Sequence, residues 1–337
     1  MSYQIQVLET GACFTAEHDE SLLSAALRAN VALAHDCQFG GCGTCRIKVL
    51  GGTLDYEEFP LGLTPEEADA GFALACQARP RSDMVIGAGH GGAPASEPAR
   101  HTARVSGIRA LGCDVTHLTL ALPAEATLLH RPGQYMNVLL EDGNRRSFSM
   151  ASAAYGGQVD FHVRKIPGGH FTDHMIAELK PGDSLEVELP LGAFRFHAED
   201  YRPLLMVATG TGLAPIKAML ESLMDDPDCP PVSLYWGART AADLYLHDEI
   251  AQWARRLYEF RYVPVLSRAD ERWAGRRGYV QHAVCDDHAD LSEHAVYLCG
   301  SPAMIADAKQ AFVAKGASID HLYADSFTFQ HTPATVE

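Results

Sequence analysis

The sequence predicts a multidomain chain: a small cysteine-bearing module, then an antiparallel β-barrel, then a doubly wound parallel α/β unit. Three observations predict it. Three cysteines and three glycines crowd into "CQFGGCGTCR", residues 37–46. Residues 101–198 are dominated by short strand-like runs separated by Pro, Gly and Asp turns. From 199 onward, strand-like and helix-like stretches alternate. With 337 residues and 47% hydrophobic content, the chain is long enough for two or three separate cores.

The cysteine module comes first. Its spacing is Cys37-x4-Cys42-x2-Cys45, with Cys76 following in "FALACQARP". A disulfide framework, a zinc site and an iron–sulfur cluster compete for this pattern. Nine cysteines is an odd number, and a chain this long does not need disulfide staples. The start, "MSYQIQVLETGACF", carries no basic stretch leading into an apolar run, and no apolar segment approaches 18 residues. The expectation is a soluble protein of a reducing cytoplasm. Structural zinc sites commonly use two C-x2-C pairs, whereas only Cys42 and Cys45 form one here. The plant-type [2Fe–2S] pattern, C-x4-C-x2-C…C, does match. Gly40, Gly41 and Gly43 would let backbone N–H groups turn inward towards an anionic cluster. Cys13, Cys113, Cys229 and Cys285 are expected to be small buried hydrophobes.

Flanking segments complete the module. "QIQVLETGACFTAE" reads as two strands joined at Thr10-Gly11. "ESLLSAALRAN" sets Leu22, Ala25, Ala26 and Ala29 at helical spacing behind the N-cap Ser21. "CRIKVLGG" gives a strand leaving the cysteine loop. Residues 1–86 resemble a plant-type ferredoxin, which implies a β-grasp (α+β) fold and cluster ligation by Cys37, Cys42, Cys45 and Cys76. Residues 87–100, "GAGHGGAPASEPAR", are rich in Gly, Ala and Pro and read as a linker.

In the barrel, "ARVSGI", "VTHLTLAL", "YMNVLLE", "QVDFHVRKI" and "DSLEVELPL" are the expected strands. Two places carry chemistry. Arg146-Ser147-Phe148-Ser149, at the start of a strand, offers a guanidinium, an aromatic plate and two hydroxyls. The second, beginning His162-Val163-Arg164, passes Pro167-Gly168-Gly169 to Thr172, an expected N-cap for a helix carrying Met175, Ile176 and Leu179. A glycine turn feeding a helix is an anion site in outline. Each signal is weak alone. Together they resemble the flavin-binding barrel of the ferredoxin–NADP reductase superfamily, whose signature is Arg-x-Tyr-Ser. The resemblance implies that Arg146 binds the FAD phosphates, Phe148 lies against the isoalloxazine and Ser149 sits near its reactive nitrogen. Phe148 stands where the family usually has Tyr, so stacking is kept and a phenolic hydrogen bond is lost.

In residues 199–337, "PLLMVATG" is a buried strand running into Gly210-Thr211-Gly212-Leu213-Ala214-Pro215. Ile216, Met219, Leu220 and Leu223 then mark a helix with Pro215 in its first turn. Further strands are "VSLYWGA", "FRYVPVLS", "AVYLCG" and "HLYADSF", with helices over "DEIAQWARRL" and "PAMIADAKQAFV". The glycines follow a strand and open a helix, the context a phosphate turn needs. They resemble the G-T-G-x-A-P turn of the same superfamily. So does Cys299-Gly300-Ser301-Pro302 with Met304, where the resemblance places Cys299 beside the nicotinamide carbon that exchanges hydride. The terminal "YADSF", ending at Phe327, belongs to the same pattern.

Nicotinamides exchange two electrons at once and a [2Fe–2S] cluster exchanges one, whereas FAD handles both, so FAD belongs between them. Nearly the full length resembles the reductase components of bacterial aromatic-ring (Rieske-type) oxygenases, especially those serving naphthalene and terephthalate dioxygenases. That implies an NADH-dependent oxidoreductase delivering electrons to a terminal oxygenase component. A reductase for a diiron monooxygenase or a deoxysugar-forming dehydratase is the alternative, and a zinc-bearing regulatory protein the non-enzymatic one. A net charge of −16 argues against nucleic acid, and no membrane partner is expected. Residues 1–86 hold twelve acidic against five basic residues, which suits docking on a basic acceptor. A monomer is the expected state. In "LYWGARTAADLY", Arg239 suits either nicotinamide and Asp243 would hold a ribose 2′-hydroxyl, which favours NADH.

Overall fold

The computed structural model describes residues 2–35, 38–41, 43–87, 98–123, 130–153 and 156–327. Cys37, Cys42 and most of the expected linker lie outside them. The chain forms three main sheets, one after another along the sequence.

The first is a mixed five-stranded sheet. Strands β1 (Ser2–Val7) and β2 (Cys13–Glu17) pair antiparallel, and helix α1 (Leu22–Arg28) follows. Ser21 caps α1 by accepting the Ser24 N–H at 3.2 Å. Its buried face is Leu22, Leu23, Ala25 and Ala26. Then come β3 (Arg46–Gly51), β4 (Leu54–Asp55), α2 (Pro65–Asp69), β5 (Phe72–Leu74), β6 (Arg79–Pro80) and β7 (Met84–Gly87). The sheet order is β2-β1-β7-β3-β5, with β4 and β6 as a separate ladder. Thr64 and Glu67 close a capping box on α2, each side chain bonding the other's backbone N–H. Strand β7 ends at Gly87 and the next strand begins at Ala99, so the outer residues of the expected linker belong to strands.

Six antiparallel strands make the barrel: β8 (Ala99–Ala110), β9 (Val115–Ala121), β10 (Tyr135–Leu139), β11 (Arg145–Ser149), β12 (Gln158–Arg164) and β13 (Ser184–Leu191). The order is β11-β10-β13-β8-β9-β12, and a bridge between Met150 and Phe161 brings the two outer strands together. Between β12 and β13 the expected helix is reduced to a wide π-type turn, His170–Met175, and the short α3 (Ile176–Glu178). Gly169, not Thr172, holds the capping position. The cause is local. Thr172 Oγ1 accepts the Ile166 N–H at 3.3 Å and the Asp173 carboxylate accepts the Gly168 N–H at 2.9 Å, folding the glycine turn back onto the helix.

The third sheet is wholly parallel. It comprises β14 (Leu204–Thr209), α4 (Leu213–Leu223), β15 (Val232–Ala238), α5 (His247–Ile250), β16 (Phe260–Leu266), β17 (Arg276–Arg277), α6 (Val280–Asp287), β18 (Ala295–Gly300), α7 (Pro302–Ala314) and β19 (Leu322–Ser326). The strand order is β17-β16-β15-β14-β18-β19. Alternate strand residues feed two cores. Met206, Trp236 and Tyr297 pack with α4 and α5, and Val207, Tyr235 and Leu298 pack with α6 and α7. That is a doubly wound unit. The helix expected over "DEIAQWARRL" breaks into α5 and a 3-10 turn, Trp253–Arg255, which keeps Ile250, Trp253 and Leu257 all buried. Among the described residues no helix is long and apolar enough to cross a membrane.

Candidate functional site

Cys45 precedes β3 and Cys76 follows β5; both are buried, and the Ala75 N–H donates to the Cys45 carbonyl at 3.0 Å. Gly40 and Gly43 sit at φ +79° and +80°, where glycine is favoured. A Cβ on Gly62 would come within 3.0 Å of the Gly41 oxygen and the Gly43 nitrogen, so Gly62 must be bare to seat this loop. Sequence reading missed Gly62, which lies outside the cysteine motif. Tyr56 accepts the Leu74 N–H at 3.2 Å. Its phenol is pushed up to about 12 by burial, with Cys45 and Cys76 adding to the effect. Two buried thiols facing a glycine cradle fit a thiolate-bound cluster. Of the four cysteines expected to be buried, Cys229 is buried and Cys285 half-buried, but Cys13 and Cys113 are exposed. Cys13 opens β2 on its outward-facing side, and Cys113 lies in the turn between β8 and β9.

On β11, Arg146 and Phe148 are half-buried, Ser147 is exposed and donates to Asn137 Oδ1 at 2.8 Å, and Ser149 is buried. The four residues are the last four of the strand's five, one position in from its start. The Phe148 ring lies 5.2 Å from that of Phe171, tilted by 43°. On β12 the pleat divides the expected residues. Val163 points into the barrel core, while His162 and Arg164 reach the third sheet. His162 Nδ1 lies 3.1 Å from the Tyr245 hydroxyl, and the Arg164 guanidinium pairs with Asp114. Burial, then the nearby Lys217 and His117, hold the His162 imidazole well below its usual pKa, so it is neutral near pH 7. Gly168 has φ +74°, and Gly169 has Thr172 Oγ1 pressed against its missing side chain.

At the carboxyl end of the parallel sheet, the turn Gly210-Thr211-Gly212 opens α4, as the spacing predicts. Gly210 has φ +54°, and a Cβ there would stand 2.8 Å from Arg164 Nη1. Trp236 Nε1–H donates to the Gly210 carbonyl at 2.9 Å. Gly212 is bare because the Cys299 carbonyl occupies the place of a side chain. Gly300 is bare because Thr209 does the same, and the Thr209 hydroxyl accepts the Ser301 N–H at 3.1 Å. The Phe327 N–H donates to the Gly300 carbonyl. The Cys299 thiol is fully buried, and burial followed by Asp325 pushes its pKa well up, so it stays neutral. Ser326 Oγ is buried without a hydrogen-bond partner at this end of β19. An orphaned hydroxyl beside bare glycines fits a polar ligand at this edge. Arg239 is exposed where β15 ends. Asp243 Oδ2 accepts from the Thr240 N–H at 2.8 Å and the Thr240 hydroxyl at 2.9 Å. Much of its carboxylate therefore closes a local turn. Trp236 and Tyr245 are the positions here that sequence reading missed. Their bonds connect segments distant in sequence, and no local spacing announces them.

Three family profiles match along the chain: a 2Fe-2S iron-sulfur cluster binding domain over residues 5–81, an oxidoreductase FAD-binding domain over 102–196 and an oxidoreductase NAD-binding domain over 206–310. A CDP-6-deoxy-L-threo-D-glycero-4-hexulose-3-dehydrase reductase of Yersinia pestis is 34% identical, over 97% of this chain and 99% of its own. The chain belongs to the iron–sulfur flavoprotein reductases. A reductase component of terephthalate 1,2-dioxygenase from Comamonas sp is 32% identical, over 98% and 99% of the two chains. Among solved structures, the Amycolatopsis cytochrome P450 reductase GcoB superposes with a TM-score of 0.71 at 32% identity, covering 96% of this chain and 98% of its own. This reductase is therefore an oxidoreductase that carries electrons from NADH through FAD to a [2Fe–2S] cluster. Its fold is the expected series of ferredoxin, barrel and doubly wound units.

Proposed function

We propose that this reductase serves the terminal component of an aromatic-ring dioxygenase. The observation that carries the reading is the end-to-end likeness to the terephthalate dioxygenase reductase component, 32% over 98% of this chain. The surface agrees with it. Phe39 in the cysteine loop and Leu61, next to the Gly62 that seats it, are 54% and 89% exposed on a module of net charge −7. An apolar spot within an acidic field suits a basic docking site on a partner protein.

In this reading Cys37, Cys42, Cys45 and Cys76 hold the cluster, with Gly40, Gly43 and Gly62 letting the loop close. Arg146 pairs with the FAD phosphates, Phe148 covers the ring system and the Ser149 hydroxyl bonds to its edge. His162, Val163, Gly168, Gly169 and Thr172 shape the same cleft. Gly210, Thr211, Gly212, Arg239, Asp243, Gly300 and Phe327 receive NADH, with Arg164 bridging the two halves. The cofactors supply the conversion from two-electron to one-electron transfer. The protein supplies position and dryness. Cys299, neutral and buried, packs at the hydride-transfer edge without adding a negative charge, and the Trp236 bond to Gly210 stiffens the turn beneath it. We place the domain boundaries at 1–86, 87–100, 101–198 and 199–337, and the protein in the cytoplasm as a monomer.

A second reading, a reductase for a deoxysugar-forming dehydratase, is favoured by the 34% identity to the Yersinia protein. Anaerobic NADH-reduced protein mixed with each purified acceptor separates them. Rapid reoxidation by the oxygenase component alone is expected; rapid reoxidation by the dehydratase alone overturns the proposal.

A further inference from the structure

Lysine is among the costliest side chains to bury, yet Lys309 on α7 is only 5% exposed. Met304, Ile305, Ala308 and Phe312 of the same helix pack into their own sheet's core. The Lys309 ammonium instead crosses to the cysteine module. It donates to Glu67 Oε1 at 3.1 Å, Glu67 Oε2 at 3.2 Å and the Gly62 carbonyl at 3.2 Å. Glu67, 2% exposed, also receives Arg46 Nη1 at 2.5 Å and the Thr64 N–H at 2.9 Å. Arg46 completes a return path, donating to the Leu322 carbonyl at 2.9 Å on the edge strand β19. Charges thus alternate across the boundary: Lys309 from the nucleotide unit, Glu67 and Arg46 from the module, then nucleotide-unit backbone again. Burial raises the Glu67 carboxyl, but Lys309 and Arg46 outweigh it and hold it below the usual range, so the carboxylate is charged.

The contact grips the cysteine loop itself. Arg46 directly follows Cys45, and Gly62 seats Gly40, Gly41 and Gly43. A side chain on Gly43 would stand 3.8 Å from the Lys309 ammonium. A cavity lined by Gly43, Thr44, Phe194, His197, Lys309 and Tyr323 remains where the three units meet, so packing there is incomplete and the ions hold the join.

We propose that Lys309 is a positioning residue for electron transfer, a latch that seats the cysteine loop against the nucleotide unit through Glu67 and Arg46. The inference rests on the cluster assignment but not on the identity of the acceptor. Removing Lys309 leaves Glu67 paired only within its own module, by Arg46, and removing the Glu67 charge leaves two cations buried without a counter-ion; either loss favours undocking into water.

The test compares the full-length holoprotein with Lys309→Met, Lys309→Arg and Glu67→Gln. Faster hydrogen exchange at amides 61–64, 66, 67 and 319–326, with a larger radius of gyration in solution scattering, is expected for Lys309→Met and Glu67→Gln. Lys309→Arg should restore both. In stopped-flow, cluster reduction by NADH should slow by about tenfold or more in Lys309→Met. Flavin-level ferricyanide reduction, the KM for NADH and the cluster's EPR signal should stay at parental values. Parental exchange, dimensions and cluster-reduction rate in Lys309→Met overturn the latch. If Lys309→Met does not fold, the same three readouts in Glu67→Gln decide the matter, and parental values there overturn the latch equally. In a double variant carrying Lys309→Met and Glu67→Gln the loss should not exceed that of either single change; additive losses also overturn it.

Discussion

The nucleotide unit meets the cysteine module through buried charge, and it meets the barrel chiefly through rings and neutral hydrogen bonds. At the first boundary stand Lys309, Glu67 and Arg46. At the second, His162 of the barrel bonds Tyr245 of the nucleotide unit, which is backed inside that unit by Trp236, edge-on at 5.1 Å and bonded to Gly210. Charged groups are present there too: Lys217 bonds the Ala151 carbonyl at 3.0 Å and the Arg164 guanidinium packs against Gly210. A neutral network gives way in steps of about 1 kcal/mol per bond. A buried ion pair behaves differently: losing one partner costs roughly 3–5 kcal/mol, because a bare charge is left behind. The boundary with the barrel therefore weakens bond by bond, whereas the boundary with the cysteine module depends on one buried set of charges. That division suits a protein whose electrons enter at one end and leave for a separate partner at the other.

The largest effect should come from removing the cluster, which tests whether the barrel and nucleotide unit work without it. Cys76→Ser takes away one of four proposed ligands. Cluster absorbance and cluster-dependent cytochrome reduction should be lost, while flavin content and NADH-to-ferricyanide turnover remain. Full cluster absorbance with normal cytochrome reduction would remove Cys76 from the ligand set. A fall in flavin content would show that the two boundaries are not independent.

The cysteine loop was legible because its information is local: four thiols and a few glycines at set spacings announce their chemistry without the fold. The sheets were legible for the same reason, since period-two and period-3.6 patterns need only a short window. The boundaries were not. Glu67 and Lys309 are 242 positions apart, and each alone reads as an ordinary surface charge. Helix α6 escaped because Val280–Asp287 has no side-chain cap and ends in two aspartates. That the Asp243 carboxylate also closes the Thr240 turn appears only once the backbone is folded. Cys13 and Cys113 looked like core residues by composition alone, but a strand pleat and a turn carry them outward.

A smaller effect should follow from Arg146→Ala, within the barrel. Losing one charge-assisted bond to phosphate should weaken FAD by roughly 1.5–3 kcal/mol, about 10- to 100-fold in dissociation constant. Flavin release measured by fluorescence during dialysis reads this directly. The cluster's absorbance should not change, because β11 belongs to the barrel and takes no part in the Lys309 contact. Unchanged retention of FAD would move the phosphate site away from β11.

The smallest effect is a pH dependence confined to the neutral boundary. His162 on β12 faces Tyr245, with Lys217 on α4, His117 on β9, Asp160 on β12 and Arg109 on β8 around it. Its folded pKa lies well below 6.5, so the folded state takes up the proton less readily than the unfolded chain does. Stability from this group is therefore complete above pH 6.5 and declines as pH falls towards the folded pKa, with a slope of at most about 1.4 kcal/mol per pH unit. Glu67 behaves separately, because its pKa is held below the ordinary 4.5 and its contribution fades only under stronger acid. His162→Asn keeps a hydrogen-bonding group near Nδ1 but cannot take up a proton in this range. Urea unfolding of parent and variant between pH 7.5 and pH 5 should show a shallower decline in the variant. Parallel curves would mean that His162 does not titrate on unfolding, and the neutral boundary would then have no acid-sensitive member at that position.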